Sequence, residues 1–463
     1  MSLSTELARI CMRPINAAAR QKAMLHLIDW IGCAAIGAAT PSAKALWHGT
    51  ELPGSDPAAS ATSLTPYPDP WHSLMFEGAI GNILEMDDIH RDALVHPGPV
   101  IIPAALFIAR RLQHSGPDLL DAIVRGYEAM VRLGLSVGPG HYAYWHNTAT
   151  CGPIGAAAAV ASLLGLSESE WTDAFGHATT QAAGLWQVRL DPCMSKQWHT
   201  ARAAQTGVQA ALLAQSGVTG AAQILEGTKG FFAAMCPDGD RNLLLREPFG
   251  QWQIFNTSIK PWPACRHAHA AIDAALSVRQ QLLQRHDMDN TLPLPDRIMR
   301  VHVRTYADAL EFCDKPEPLT PGEARFSLQH IVALTLLRGE PMLPDFELAA
   351  LHEPLCAALR SRVVLECTQP WASQYPQHFG AEVTLKLVDG STLRDQVCDA
   401  LGDLERPLSD TMIIAKARSL MAAADYPNDL INELLHQCSA MTHARSITLP
   451  PVRHKTRDSS SFA

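Results

Sequence analysis

The sequence predicts a mostly α protein, with a large all-helical domain built from both chain ends and a smaller inserted α+β domain. Three observations predict it. Apolar residues recur at helical spacing through the first half of the chain, where no run alternates. After about residue 256 the period changes to two: Met299, Val301, Val303 and Thr305 alternate with Arg300, His302 and Arg304, and alternation flanks Asp389-Gly390. Helical spacing returns from Ser409 to Cys438. The resulting division is a helical domain of residues 1–255 and 401–450 and an inserted α+β domain of residues 256–400. The tail, residues 451–463, is polar, Ser-rich and expected to be disordered.

Each element has its own signal. In residues 17–38 the polar positions Lys22, His26 and Asp29 leave a wide apolar face of Met24, Leu27, Ile28 and Ile31. Residues 52–70, rich in Pro, Ser and Ala, read as a long connection, and residues 71–86 as a helix delivering an acidic cluster. His96-Pro97-Gly98-Pro99 reads as a loop, because each Pro restricts its predecessor and Gly98 supplies an unrestricted turn position. A helix follows over residues 101–112, with Pro103 near its start where a missing N–H costs nothing. Leu119, Leu120, Ile123, Val124, Tyr127, Met130 and Val131 trace another amphipathic helix. Residues 152–166 are mostly Ala and Gly with a few aliphatics, a composition that lets helix backbones approach closely. Ser167 and Glu170 form a capping box. Residues 198–215 and 221–226 continue as helix, with Gly217, Gly220, Gly227 and Gly230 as turns and C-caps. In the inserted domain, helices at 270–284, 324–337 and 347–360 separate the strands, and residues 362–367 read as a buried strand.

Composition narrows the function. With 47% hydrophobic and 18% charged residues the chain reads as globular, and a net charge of −9 argues against a nucleic-acid partner. A polyanionic substrate then needs a local basic pocket. Eleven Cys without metal-type spacing read as reduced thiols, hence a cytoplasmic location. The first fourteen residues do not form a signal peptide, and no 18-residue apolar run predicts a membrane span. With no phosphate loop, no dinucleotide fingerprint and only His267 and His269 closely spaced, neither an organic cofactor nor a metal is expected.

The acid/base material is concentrated in Glu85-Met86-Asp87-Asp88-Ile89-His90 and the following His96. Taken alone, an acidic helix cap and a solvated turn account for the same residues. Likewise Lys196 alone is a solvated loop lysine before a helix, and His146 beside Trp145 a structural histidine.

These segments fall into five ordered blocks. They are the acidic run leading to His96-Pro97-Gly98, and Trp145-His146-Asn147-Thr148. Ser195-Lys196-Gln197-Trp198-His199 follows, then Ile259-Lys260-Pro261-Trp262-Pro263-Ala264-Cys265 with His269, and finally Ala324-Arg325-Phe326-Ser327. Together they resemble the MmgE/PrpD family, which includes 2-methylcitrate dehydratases, cis-aconitate decarboxylases and iminodisuccinate epimerases. The resemblance implies a two-domain homodimer acting on a small polycarboxylate. It implies catalytic roles for His146 as base or acid, for Lys196 as the cation that stabilises developing negative charge, and for His96, with Asp88 as the nearest group to orient it. Glu85, Asp87, Lys260, Arg266, His269 and His330 are the implied substrate-binding set. Three positions depart from the family pattern. Glu85 stands where relatives have Asp, Ile89 where some have Thr, and His330 where cis-aconitate decarboxylases have Tyr. The expected activity is a cofactor-independent dehydratase or hydratase that abstracts a proton next to a carboxylate. An epimerase of iminodisuccinate type, a decarboxylase, or a silent carboxylate-binding dimer are the alternatives.

Overall fold

Asn16 accepts a hydrogen bond from the Ala19 amide and so starts a 22-residue helix, Ala17–Ala38, that is buried along nearly its whole length. In the computed structural model, which describes residues 1–50, 70–191, 193–246, 251–285 and 293–452, the fold around it is mostly α with one four-stranded sheet. The expected connection at residues 52–70 lies almost wholly outside the described residues, as does the tail beyond residue 452. The helix Pro41–Thr50, which apolar spacing did not announce, precedes that connection.

The chain divides into two compact units. One comprises residues 1–83, 87–259 and 409–463, the other residues 84–86 and 260–408. Glycine and alanine set the packing of the first. The helix Asn147–Leu163 lies against Gly116–Ser136 and Ser195–Gln215. A Cβ on Gly155 would come within 2.7 Å of the Met130 Cβ and 2.9 Å of the Gly126 carbonyl, so these two backbones touch. The chain ends meet in the same way: Gly32 abuts the Ala417 Cα, and Lys416 of the helix Asp410–Ala423 reaches Asp29 at 2.6 Å.

Several boundaries differ from expectation. The helix Pro70–Ile80 stops six residues early, and residues 81–97 are irregular. The next helix is Gly98–Leu112, so Gly98 and Pro99 are its first residues and Pro103 lies inside it. Gly98 has no positive φ and is not a turn residue. Its Cα instead lies so close to Asp88 that a Cβ would come within 2.7 Å of Oδ1. Residues 222–226 form turns, punctuated by the close glycines Gly227 and Gly230. The capping box at Ser167 and Glu170 is present.

In the second unit the strands β1 (Ile298–Thr305), β2 (Val363–Cys367), β3 (Ala381–Leu387) and β4 (Thr392–Val397) run in the order β2-β1-β3-β4. β1 and β2 are parallel, and the other pairs antiparallel. Val301, Val303, Val383 and Leu385 are buried, and the helix His269–Leu283 packs on β3 and β4. On the outer face Arg304 bridges its cross-strand neighbours Glu366 and Glu382. Gly390 turns the β3–β4 hairpin at φ +85°. β2 is an edge strand and only partly buried, contrary to the buried reading, because apolar composition does not separate an edge from a centre.

Candidate active site

The acidic loop is held from beneath by the helices around it. Asp88 accepts from Tyr127 Oη at 2.5 Å, His26 Nδ1 at 2.6 Å and the Gly98 amide at 2.8 Å. That last bond caps a helix whose own N-cap, Pro97, offers no side-chain acceptor. Three donors and a helix N-terminus fix the Asp88 carboxylate as a scaffold anion. The carboxylate that meets His96 is its neighbour: Asp87 Oδ2 lies 2.8 Å from His96 Nδ1 and also accepts from Asn82 at 2.7 Å. Asp88 reaches His96 only through its carbonyl, at 3.0 Å. The orienting role expected of Asp88 therefore falls to Asp87. Alternation cannot separate two adjacent Asp residues in an irregular loop.

His96 is tied to the second block. Its amide donates to Thr148 Oγ1 at 3.0 Å, in the first turn of the helix that His146 caps. The His146 amide donates to the Gly184 carbonyl, and a short antiparallel bridge between Trp145 and Leu185 brings the Trp186 ring to 4.3 Å from the imidazole. Its Nδ1 lies 3.2 Å from His199 Nδ1, and its buried Nε2 has no hydrogen-bond partner among the described residues. Lys196 lies in the first turn of the helix Ser195–Gln215, not in a linker before it, one turn from His199. Burial first, and then the charges of Lys196, His199 and His96, push the His146 pKa well below 6.5, with Asp87 opposing. Burial and Lys196 lower that of His199 too. Both imidazoles are thus neutral bases near neutral pH. The first unit alone gathers His146, Lys196, His96 and Asp87.

His199, His26 and Tyr127 were not read from the sequence as site residues. Only His199 carried a signal, standing three residues after Lys196 on one helical face. His26 and Tyr127 looked like members of amphipathic helices.

The second unit holds a different set. Glu85, at φ +56°, places Oε2 3.8 Å from the buried Lys260 ammonium, and its charge also acts on the buried Arg325. Three other expected binding residues are interior fixtures. His269 Nε2 faces the Ala264 carbonyl at 3.1 Å, so that Nε2–H donates and Nδ1 accepts from Arg266 at 3.1 Å. Arg266 in turn pairs with Asp403 at 2.5 Å. His330 donates from Nε2 to the Asp345 carbonyl at 2.9 Å and is fully buried. An open cavity of about 420 Å³ in this unit is lined by Asp273, Asp395, Asp399, Glu405 and Arg406, an acidic wall unsuited to a polycarboxylate. Metal-type donors cluster at His378, Cys398 and Asp399 and at Asp399, Asp403 and Glu405, and neither cluster contains a residue of the candidate site.

Residues 2–244 match the MmgE/PrpD N-terminal domain, and residues 262–438 the MmgE/PrpD C-terminal domain. The chain belongs to the MmgE/PrpD family. Human cis-aconitate decarboxylase is 28% identical over 82% of this chain and 80% of its own length. A cis-aconitate decarboxylase-like protein of Aspergillus oryzae is 27% identical over 88% and 87%. The mitochondrial 2-methylcitrate dehydratase of Yarrowia lipolytica is 24% identical over 69% and 61%. By their names these relatives are a decarboxylase, a decarboxylase-like protein and a dehydratase, and decarboxylases and dehydratases are both lyases.

Proposed function

We propose that this MmgE/PrpD protein is a lyase that removes a proton from carbon next to a carboxylate of a small di- or tricarboxylic acid, with dehydration of 2-methylcitrate type as the leading reaction. The observation that carries this reading is His146, a buried neutral base with an unpartnered Nε2, gathered in one unit with Lys196, His96 and Asp87. Lys196 offers a cation to a substrate carboxylate and to the negative charge that spreads onto it as the C–H bond breaks. His146 Nε2 takes that proton. His96, held at Nδ1 by Asp87, has Nε2 left to carry a proton to the departing hydroxyl, so that a C=C bond forms and water leaves.

Decarboxylation is the second reading, because relatives matching more than 80% of this chain carry that name. There the C–C bond to a carboxylate breaks, Lys196 stabilises the carbanion, and a histidine returns a proton to carbon. Epimerisation would use His146 and His96 on opposite faces. Incubating the protein with 2-methylcitrate, citrate, cis-aconitate and iminodisuccinate, with mass and chiral analysis, separates these outcomes as loss of water, loss of carbon dioxide, or inversion alone. A ligand bound and returned unchanged supports a silent binding protein instead. The eleven cysteines without metal-type spacing support a cytoplasmic location, the net charge of −9 argues against a nucleic-acid partner, and the family resemblance supports a homodimer. A solution mass of one chain, 50.3 kDa, would exclude the dimer.

A further inference from the structure

The β3–β4 hairpin is closed at one end by the turn at Gly390 and open at the other, and its register decides which side chains meet at the open end. Ala381 pairs with Val397, so the chain just before β3 and the chain just after β4 lie side by side. His378 comes from the first, Cys398 and Asp399 from the second, and one donor atom from each of the three lies within 4.8 Å of the other two. We infer that these residues form a site for a zinc ion or a similar transition metal, held through imidazole nitrogen, thiolate sulfur and carboxylate oxygen. The ion would staple the open end of the hairpin, apart from the residues assigned above to proton transfer. Because the ligands come from opposite ends of a hairpin, no short spacing in the sequence announces them.

The donor set selects the metal. Imidazole and thiolate suit zinc and its transition-metal neighbours, whereas magnesium and calcium take oxygen. Donors around a tetrahedral zinc stand roughly 3.3–3.6 Å apart, given bonds of about 2.0–2.3 Å. His378 Nδ1 lies 2.8 and 3.0 Å from the two Asp399 oxygens, so an ion taking the place of this hydrogen bond needs side-chain shifts of only about half an ångström. The Cys398 thiol makes a long contact of 3.9 Å to Gln374 Oε1, a weak bond that a metal outcompetes. The backbone around the ligands is fixed: the His378 amide donates to the Gln374 carbonyl at 2.9 Å, and the Asp399 carbonyl accepts from Arg406 at 3.0 Å. Cys398 and Asp399 also line the open cavity of this unit, which gives an ion a way in from solvent and water for its fourth position, while Asp273, Asp395 and Glu405 of the same wall attract a cation and Arg406 opposes it. On binding, the thiol releases its proton to solvent and a neutral imidazole carries its hydrogen on Nε2. The oxygen-only group of Asp399, Asp403 and Glu405 is the competitor, but there Asp403 is committed to Arg266 and to the Ala400 amide.

Cobalt(II) is the probe, because a cobalt–thiolate bond adds a charge-transfer band in the near ultraviolet that nitrogen and oxygen ligands do not. The untagged wild-type protein should develop that band to saturation at one equivalent of cobalt(II), and zinc should abolish it. Cys398→Ser should remove the band and His378→Gln should weaken binding by roughly tenfold or more. Cys193→Ser, which removes an exposed thiol of the other unit, should change neither. No band in the wild type, a band that survives Cys398→Ser, or unchanged affinity in His378→Gln overturns the site. Binding of magnesium or calcium in preference to zinc also overturns it and points to the oxygen-only group. Should the variants not fold, alkylation of the wild-type protein decides: zinc should slow modification of Cys398 by roughly tenfold or more and leave the exposed Cys193 and Cys367 as reactive as before, and equal reactivity of Cys398 with and without zinc would overturn the site. Zinc should further raise the urea midpoint of the wild type and not that of Cys398→Ser, since an ion that binds only the folded hairpin stabilises it. Equal wild-type midpoints with and without zinc would overturn the staple.

Discussion

Asp87 and Asp88 are chemically identical neighbours with different tasks, and substitution should show it. Asp87→Asn leaves the Asn82 contact but removes the charge that holds His96. We expect turnover to fall by roughly 10²–10⁴-fold, as when an orienting carboxylate is lost behind a catalytic imidazole, with a nearly normal urea midpoint. Asp88→Asn places donors against Tyr127 and His26, and the unmade bonds should cost ~1–3 kcal/mol of stability. Equal loss of stability in both variants would mean that the division of labour is wrong. His146→Ala should lower turnover by ~10²–10⁴-fold with KM little altered. Lys196→Gln should also raise KM, because it removes a contact made in the ground state. It should move the acid limb of the turnover profile too. His146 acts when unprotonated, its pKa lies below the ordinary value partly because of Lys196, and losing that charge raises the pKa and shifts the limb to higher pH. A limb that stays put or moves down would place Lys196 elsewhere. At this scale the sequence revealed that imidazoles and a lysine are present. It did not reveal which carboxylate turns toward which ring, because that depends on loop backbone with no period.

Helices were legible wherever their spacing was clean, and their ends were not. The early end at Ile80 and the early start at Gly98 both follow from contacts distant in sequence. A Cβ on Gly81 would come within 2.8 Å of Trp30 Nε1, and Gly98 is capped by Asp88. The small-residue helix was read correctly in kind, and its geometry yields a stability prediction. A Cβ at Gly207 would lie 2.4 Å from the Ala156 Cβ and 2.6 Å from the Ala157 nitrogen and the Pro153 carbonyl. Backbone cannot yield as a side chain does, so the overpacking cost of ~1–3 kcal/mol should exceed the ~1 kcal/mol that alanine gains in a helix. Gly49→Ala, in the helix Pro41–Thr50 where an added Cβ would meet nothing within 4 Å among the described residues, is the control and should be neutral or slightly stabilising. Urea unfolding of both variants checks the pair, and a Gly207→Ala protein as stable as the control would mean that the helices are free to separate.

On the scale of the whole molecule, the change of period near residue 256 and its return after 400 were visible, and the observed units change at 259/260 and 408/409. Residues 84–86, which belong with the second unit, left no trace in composition or period. Glu85 pairs there with the distant Lys260, and three residues are too few for any pattern. The pairing of Asp29 with Lys416 spans 387 positions. At ~5–20 residues per second, a ribosome leaves roughly 20–80 s between making the acid and making the base. Through that interval the nascent chain has a core helix whose aspartate lacks its cation and a groove at Gly32 with nothing to fill it. Such an intermediate is a natural client for a chaperone. A chain stopped before Asp410 should accordingly accumulate as aggregate, and a soluble, cooperatively unfolding product of that length would show that the first unit is finished before its last two long helices leave the exit tunnel.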